Sequence, residues 1–170
     1  MATALFITRN DIIKNTPLQG AIDADALLPF IQTAQIKYIK NLVGTVLYDY
    51  LSEQIETQTA FTGAYLDLMV DHIKPTLIWY ACVEYIPFSS IQFKSNGAVK
   101  QQSEQGVAPT KSEIDYLLAK AQSNADYFAL RLQNYLISYS NSIPQYLQSV
   151  GNQTQIYPDQ TNQYMCNIQL

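Results

Sequence analysis

Residues 110–143 contain neither glycine nor proline, and Pro109 and Pro144 stand at either end. Thr110 followed by Glu113 forms a capping box, in which each side chain satisfies the other's backbone N–H. The pattern predicts a helix of about 30 residues, roughly 45 Å long. Its apolar positions Leu118, Ala121, Ala125, Phe128, Leu132, Tyr135 and Tyr139 alternate steps of three and four, a coiled-coil-like seam. Such a helix either packs along its own bundle or is shared between subunits, and Pro144 stops it.

Helical periodicity governs most of the remaining chain. Thr8 with Asp11 predicts a short helix over 9–14, ended before Pro17. Asp23 and Asp25 are alternative caps for the next helix, with Pro29 just beyond its first turn. Leu27, Ile31, Ala34, Tyr38, Ile39 and Leu42 repeat at three- to four-residue steps there, and Gly44 supplies a C-terminal stop. Thr45 is expected to cap a helix carrying Leu47, Tyr48, Leu51 and Ile55, and Thr62 to open another through Leu66, Met69, Ile73 and Leu77. Pro75 is expected to kink that helix or split it at Lys74. From Leu77 onward it is apolar on nearly every face until Pro87, which marks a central buried helix. The expected fold is mainly α: a bundle of about five helices with one long C-terminal helix, its core including Leu42, Leu47, Leu51, Ile73, Leu77, Ala81, Leu118, Phe128 and Leu132.

Two segments depart from this rhythm. In residues 89–109, Ile91 and Phe93, then Ser95-Asn96-Gly97, then Val99 read as a short β-hairpin about an Asn-Gly turn. A polar stretch follows it, and a long irregular excursion inside a compact domain is more often functional than not. Beyond Arg131 the only charged side chain is Asp159, in a tail rich in Gln, Asn, Tyr and Ser. Disordered tails usually gain solubility from charge. This one either remains a polar low-complexity tail or lies extended against a neighbour, where its backbone pairs with an exposed edge. The domain reading is therefore a helical body over 1–147 and an extended polar tail over 148–170. Phe93, Asn96, Gly97 and Val99 in the excursion, and Ile156, Tyr157, Tyr164 and Ile168 in the tail, are the candidate assembly residues.

Charge narrows the function classes. Charged residues make up 14% of the chain, against roughly 25% in an average soluble protein. The surface must be built largely from neutral polar side chains, whose burial costs far less than that of ions. It is either adapted to interfaces or simply polar and uncharged. A net charge of -4 argues against gripping nucleic acid through its phosphates. Cys82 and Cys166 have no CxxC spacing and no histidine nearby, so neither a zinc site nor a disulfide framework is expected. The N-terminal apolar patch is too short and lacks the basic residues of a signal peptide, and no apolar run reaches bilayer length. A reducing cytoplasm is the expected environment, with no membrane association.

Residues that carry chemistry do not assemble into a recognisable pattern. The single histidine, His72, adjoins Asp71 in sequence, and neighbours on a helix do not face each other. No Walker loop, GxGxxG or GxSxG occurs, and no cofactor or metal is expected. The chain reads as non-enzymatic.

Ala34-Gln35, Tyr38-Ile39 and the run Leu42-Val43-Gly44-Thr45-Val46-Leu47-Tyr48 resemble a block of tailed-phage neck proteins. So do Asp71-His72-Ile73-Lys74-Pro75, Tyr85-Ile86-Pro87-Phe88, Asn96-Gly97-Ala98-Val99 and Ile143-Pro144-Gln145-Tyr146. The family is that of head-to-tail connector (adaptor, or neck ring) proteins, in the forms encoded by phages of Bacteroidetes, including crAss-like phages. The resemblance spans about residues 5–147, with Val43 where such proteins commonly carry Leu or Ile. It implies a virion protein assembled in the bacterial cytoplasm as a homo-oligomeric, usually dodecameric, ring below the portal protein. Such a ring extends the channel through which genomic DNA passes without specific binding, and it docks further neck and tail proteins. A cytoplasmic adaptor that binds one protein partner as a monomer or dimer is the alternative.

Overall fold

The computed structural model describes residues 4–18, 24–89, 91–94, 97–100, 110–148 and 156–159. Among them the chain is mainly helical, and its helices fall into five stretches. Helix α1 (Arg9–Asn15) opens on Thr8, whose hydroxyl accepts from the Asp11 N–H while the Asp11 carboxylate accepts from the Thr8 N–H at 2.7 Å. Helix α2 (Ala24–Ala34) runs through a π-helical turn (Gln35–Ile39) into α3 (Lys40–Val43), where Gly44 stops it. Helix α4 is Thr45–Glu56. Helix α5 (Ala64–Asp67) passes through a second π turn (Leu68–Ile73) into α6 (Lys74–Tyr85), which tightens into a 3₁₀ turn over Ile86–Phe88. The long helix α7 is Lys111–Ser138, followed by a 3₁₀ turn over Ser140–Ser142.

Helix α6 is the axis of the domain. Thr76, Leu77, Ile78, Tyr80, Ala81, Cys82 and Val83 are all buried, so the helix is covered on nearly every side. Its neighbours are α7 along its length, α2 and the first π turn, and α1 at one edge. Burial on all sides pushes the Cys82 thiol up to about 12, far from the thiolate form. On α7 the buried apolar side chains are Ala121, Ala125, Ala129, Leu132 and Leu136.

Several local expectations are corrected. The expected break at Lys74 takes the form of a π turn rather than a gap: the turn ends at Ile73, α6 begins at Lys74, and the Lys74 N–H is bonded to the Met69 carbonyl. That widened turn takes up the proline ring, which would clash with the carbonyl four residues back in a regular α-helix. Thr45 does not cap α4: the helix begins straight after Gly44, and the Thr45 hydroxyl accepts from the Ile156 N–H at 2.9 Å instead. Thr62 does not open α5, because Gly63, at φ +54°, turns the chain into that helix. The buried stripe of α7 also drifts off the expected seam. Leu118, Phe128 and Tyr135 are only half-buried and Tyr139 is exposed, while Ala129 and Leu136 take the core positions. A straight helix with 3.6 residues per turn rotates away from a 3.5-residue repeat by about 20° per heptad, enough to move the stripe by one residue.

Two four-residue strands, β1 (Ile91–Lys94) and β2 (Gly97–Lys100), pair antiparallel with Phe93 opposite Ala98 and Gln92 opposite Val99. The turn residue Asn96 lies outside the described residues.

Leu77 is fully buried at the centre of α6, so Leu77→Ala should lower unfolding free energy by about 2–5 kcal/mol in denaturant titrations. Half-buried Leu118 should cost less on the same truncation, and equal losses at the two positions would contradict the assignment of the core.

Candidate assembly surface

Residues 34–48 lock one end of the domain together. Gln35, in the first π turn, is completely buried. Its Oε1 accepts from the Phe6 N–H at 3.0 Å, and its Nε2 donates to the Ala4 carbonyl at 2.7 Å and the Tyr48 hydroxyl at 2.9 Å. One amide thus fixes the incoming chain, α2 and α4, and a buried side chain satisfied in this way enforces a single arrangement. Tyr38 stacks on Tyr80 with ring centroids 3.9 Å apart, and its hydroxyl donates to Glu84 at 2.7 Å. Lys37 joins the same carboxylate at 2.7 Å. Burial alone would raise the Glu84 pKa, but the hydrogen bonds from Lys37 and Tyr38 outweigh it and hold the carboxyl below its ordinary value. On the adjoining face, burial and then the nearby Asp126 push the Tyr80 phenol up to about 12.

At the far side of the same block, residues 156–159 form a strap across the α3–α4 junction. The Thr45 N–H donates to the Ile156 carbonyl at 2.9 Å and the Asp159 N–H to the Asn41 carbonyl at 2.9 Å. Gln133 of α7 donates to the Asp159 carbonyl at 3.0 Å. Pro158 is buried against Gly44, whose φ of +81° and lack of a side chain are both required: a Cβ there would stand 2.7 Å from the proline Cδ. The stretch expected to leave the body after residue 147 therefore returns to it here, held through backbone groups that its own low charge leaves easy to desolvate.

Two outward apolar features stand out among the described residues. A cleft of about 440 Å³ lies between α1, the second π turn, α6 and α7, with Val70, Pro75, Ile78, Trp79 and Phe128 in its walls and Asp11, Asn15 and Lys74 among its polar lining. On α7, Tyr116, Tyr127 and Leu130 share a face roughly opposite the buried alanines, at relative exposures of 66%, 59% and 41%. The helix therefore carries apolar side chains on both sides.

His72 stacks on Tyr135 with ring centroids 4.2 Å apart, and Tyr135 in turn stacks on Tyr139 at 4.5 Å. Its Nδ1 is buried without a hydrogen-bond partner among the described residues. Burial, and then the Arg131 charge, lower the His72 pKa below its ordinary 6.5. No cluster of three His, Cys, Asp or Glu side chains that could hold a metal occurs among the described residues. No helix among them is long and apolar enough to cross a membrane.

Of the candidate residues read from sequence, Ile156 and Tyr157 sit on the strap with exposed side chains. Phe93, Gly97 and Val99 lie in the paired strands, whereas Asn96, Tyr164 and Ile168 fall outside the described residues. Sequence reasoning missed Gln35 as a junction, Pro158 as the strap's anchor, and the outer face of α7. The signals were present: a glutamine amid an apolar period, a lone proline in an apolar-poor tail, and Tyr116, Tyr127 and Leu130 at helical spacing off the core stripe.

Fold and surface together define a small helical domain with a self-docked strap and two outward apolar features. The chain belongs to a family of unknown function (DUF6712), whose model matches residues 39–156. That span runs from the first π turn to the start of the strap. No curated protein and no solved structure matches the chain.

Gly44→Ala should release the strap, because the left-handed backbone and the Pro158 contact both oppose a Cβ; the combined cost is about 1–3 kcal/mol. Hydrogen exchange at the Thr45 amide checks this, and unchanged protection there would refute it. A lowered folded-state pKa for His72 means that the unfolded chain binds the proton first as pH falls. Its contribution to stability is therefore complete above about pH 6.5 and is lost on acidification below that value. Urea titrations between pH 7 and 5 should show this slope in the native chain and a flatter one in His72→Phe.

Proposed function

We propose that this protein is a structural component of a phage virion: a neck ring subunit that sits below the portal, extends the DNA channel and docks further neck or tail proteins. The observation that carries the reading is the two-sided character of α7. Its inner face is committed to α6, and its outer face spends Tyr116, Tyr127 and Leu130 on solvent, which is a poor use of large apolar groups unless another protein covers them. The sequence blocks that resemble those of neck proteins support it in another way. Gln35, Tyr38, Gly44 and Tyr48 all hold architecture together in this fold, as residues of an assembly module would. The acidic balance suits a channel wall past which DNA slides, since retention of phosphate requires cations. The paired strands and the chain beyond the strap serve as the arms that reach neighbouring proteins.

The cleft beside Trp79 keeps a second reading in play, an adaptor that seats one protein partner as a monomer or dimer. Electron microscopy of the protein mixed with the portal protein of its own phage separates the two. A closed ring stacked on the portal is expected; a monomer or dimer that leaves the portal bare would overturn the neck reading in favour of the adaptor.

A further inference from the structure

We propose that the seat at the α3–α4 junction is a binding site for a short proline-bearing segment, and that it takes residues 156–159 of a second copy of this chain as well as its own. The inference stands apart from the neck reading, since it needs only two copies within reach of each other, whatever they build.

The site is built from α3, α4 and α7, and it reads backbone. The Thr45 N–H donates to the Ile156 carbonyl at 2.9 Å, and the Thr45 hydroxyl accepts from the Ile156 N–H at 2.9 Å. The Asn41 carbonyl accepts from the Asp159 N–H at 2.9 Å, and the Gln133 Nε2 donates to the Asp159 carbonyl at 3.0 Å. Both ends of the segment are thus held by a donor and an acceptor. Pro158 between them is buried against Gly44, where a Cβ would stand 2.7 Å from its ring. Proline suits that position because it has no N–H for burial to leave unpaired. Ile156 and Tyr157 keep 41% and 52% of their surface in solvent. The ligand class that fits is therefore a segment with proline third of four, recognised through its backbone and that one ring.

None of these contacts depends on the segment belonging to the same chain. Every copy brings one seat and one matching segment, so a second copy carries the ligand by construction. Residues 149–155 separate the segment from Gln148, the last described residue of the body. A tether of that length reaches at most about 25 Å. Exchange of an identical element between copies leaves the contacts unchanged, so docking in one chain and docking between chains differ only in linkage. A short tether holds a segment near its own seat at an effective concentration on the order of millimolar. A free subunit therefore docks its own strap, and copies held side by side offer the neighbour's at a comparable concentration.

Two substitutions disable the halves separately: Pro158→Arg spoils the strap and leaves the seat open, and Gly44→Ala closes the seat and frees the strap. Circular dichroism verifies each fold; should Gly44→Ala unfold, Thr45→Val with Gln133→Ala closes the seat instead. First, a synthetic peptide of residues 153–162 is titrated to millimolar concentration into the isotope-labelled full chain carrying Pro158→Arg. In NMR spectra the Thr45 amide and the Gln133 side-chain amide should shift, and the same peptide carrying Pro158→Arg should leave them unmoved. No shift, or equal shifts with both peptides, would overturn the site. Second, a seat donor (Asn41→Cys with Pro158→Arg) is mixed under mild oxidation with a strap donor (Asp159→Cys with Gly44→Ala), both carrying Cys166→Ser. Intact-mass spectrometry should find a disulfide-linked heterodimer, and adding Pro158→Arg to the strap donor should abolish it. A heterodimer that never forms, or one that forms equally with the spoiled strap, would overturn the exchange between copies. None of these results bears on whether the protein stacks on the portal, which the microscopy decides separately.

Discussion

Burial of α6 is the constraint from which the other contacts follow. A helix covered on almost every face needs neighbours on all sides, and α1, α2, the first π turn and α7 supply them. Because Thr76, Leu77, Ile78, Ala81 and Cys82 are all buried, an arrangement that exposes α6 forfeits the centre of the core. The two π turns are concessions to that packing. One places Gln35 where it can join three segments, and the other admits Pro75 at the start of the buried helix.

The periphery is held by polar contacts rather than by apolar area. Gln35 fixes the incoming chain and α4, Glu84 gathers Lys37 and Tyr38, and Gly44 opens a seat for Pro158. Each of these depends on a specific partner elsewhere in the chain, and at fully buried Gln35 the loss of one member leaves the other unsatisfied. That asymmetry explains why a low-charge chain can still specify one arrangement. The same low charge leaves the outer face of α7 and the strap cheap to cover with protein.

The fold class was legible because periodicity and punctuation are local. The alternating apolar steps, Thr8 with Asp11, Thr110 with Glu113, and Gly44 as a stop all act within a turn or two of chain. Of the expected core, Leu42, Leu47, Leu51, Ile73, Leu77, Ala81 and Leu132 are buried, whereas Leu118 and Phe128 are only partly so. That difference came from the slow rotation of a straight helix against its heptad pattern, which matters more the longer the helix runs.

By itself the sequence determined that this chain forms helices, where most of them stop, and that α6 lies at the centre, since those outcomes rest on backbone propensity and on apolar residues near one another in the chain. Tertiary structure alone decided that the Thr45 hydroxyl serves the strap instead of a helix cap, that Pro158 returns to Gly44, and that α1, the second π turn, α6 and α7 enclose the cleft beside Trp79. Each of these depends on groups separated by tens of residues meeting at hydrogen-bond or van der Waals distance. No local pattern encodes such a meeting, because its free energy is realised only once the core has set the distances between the helices.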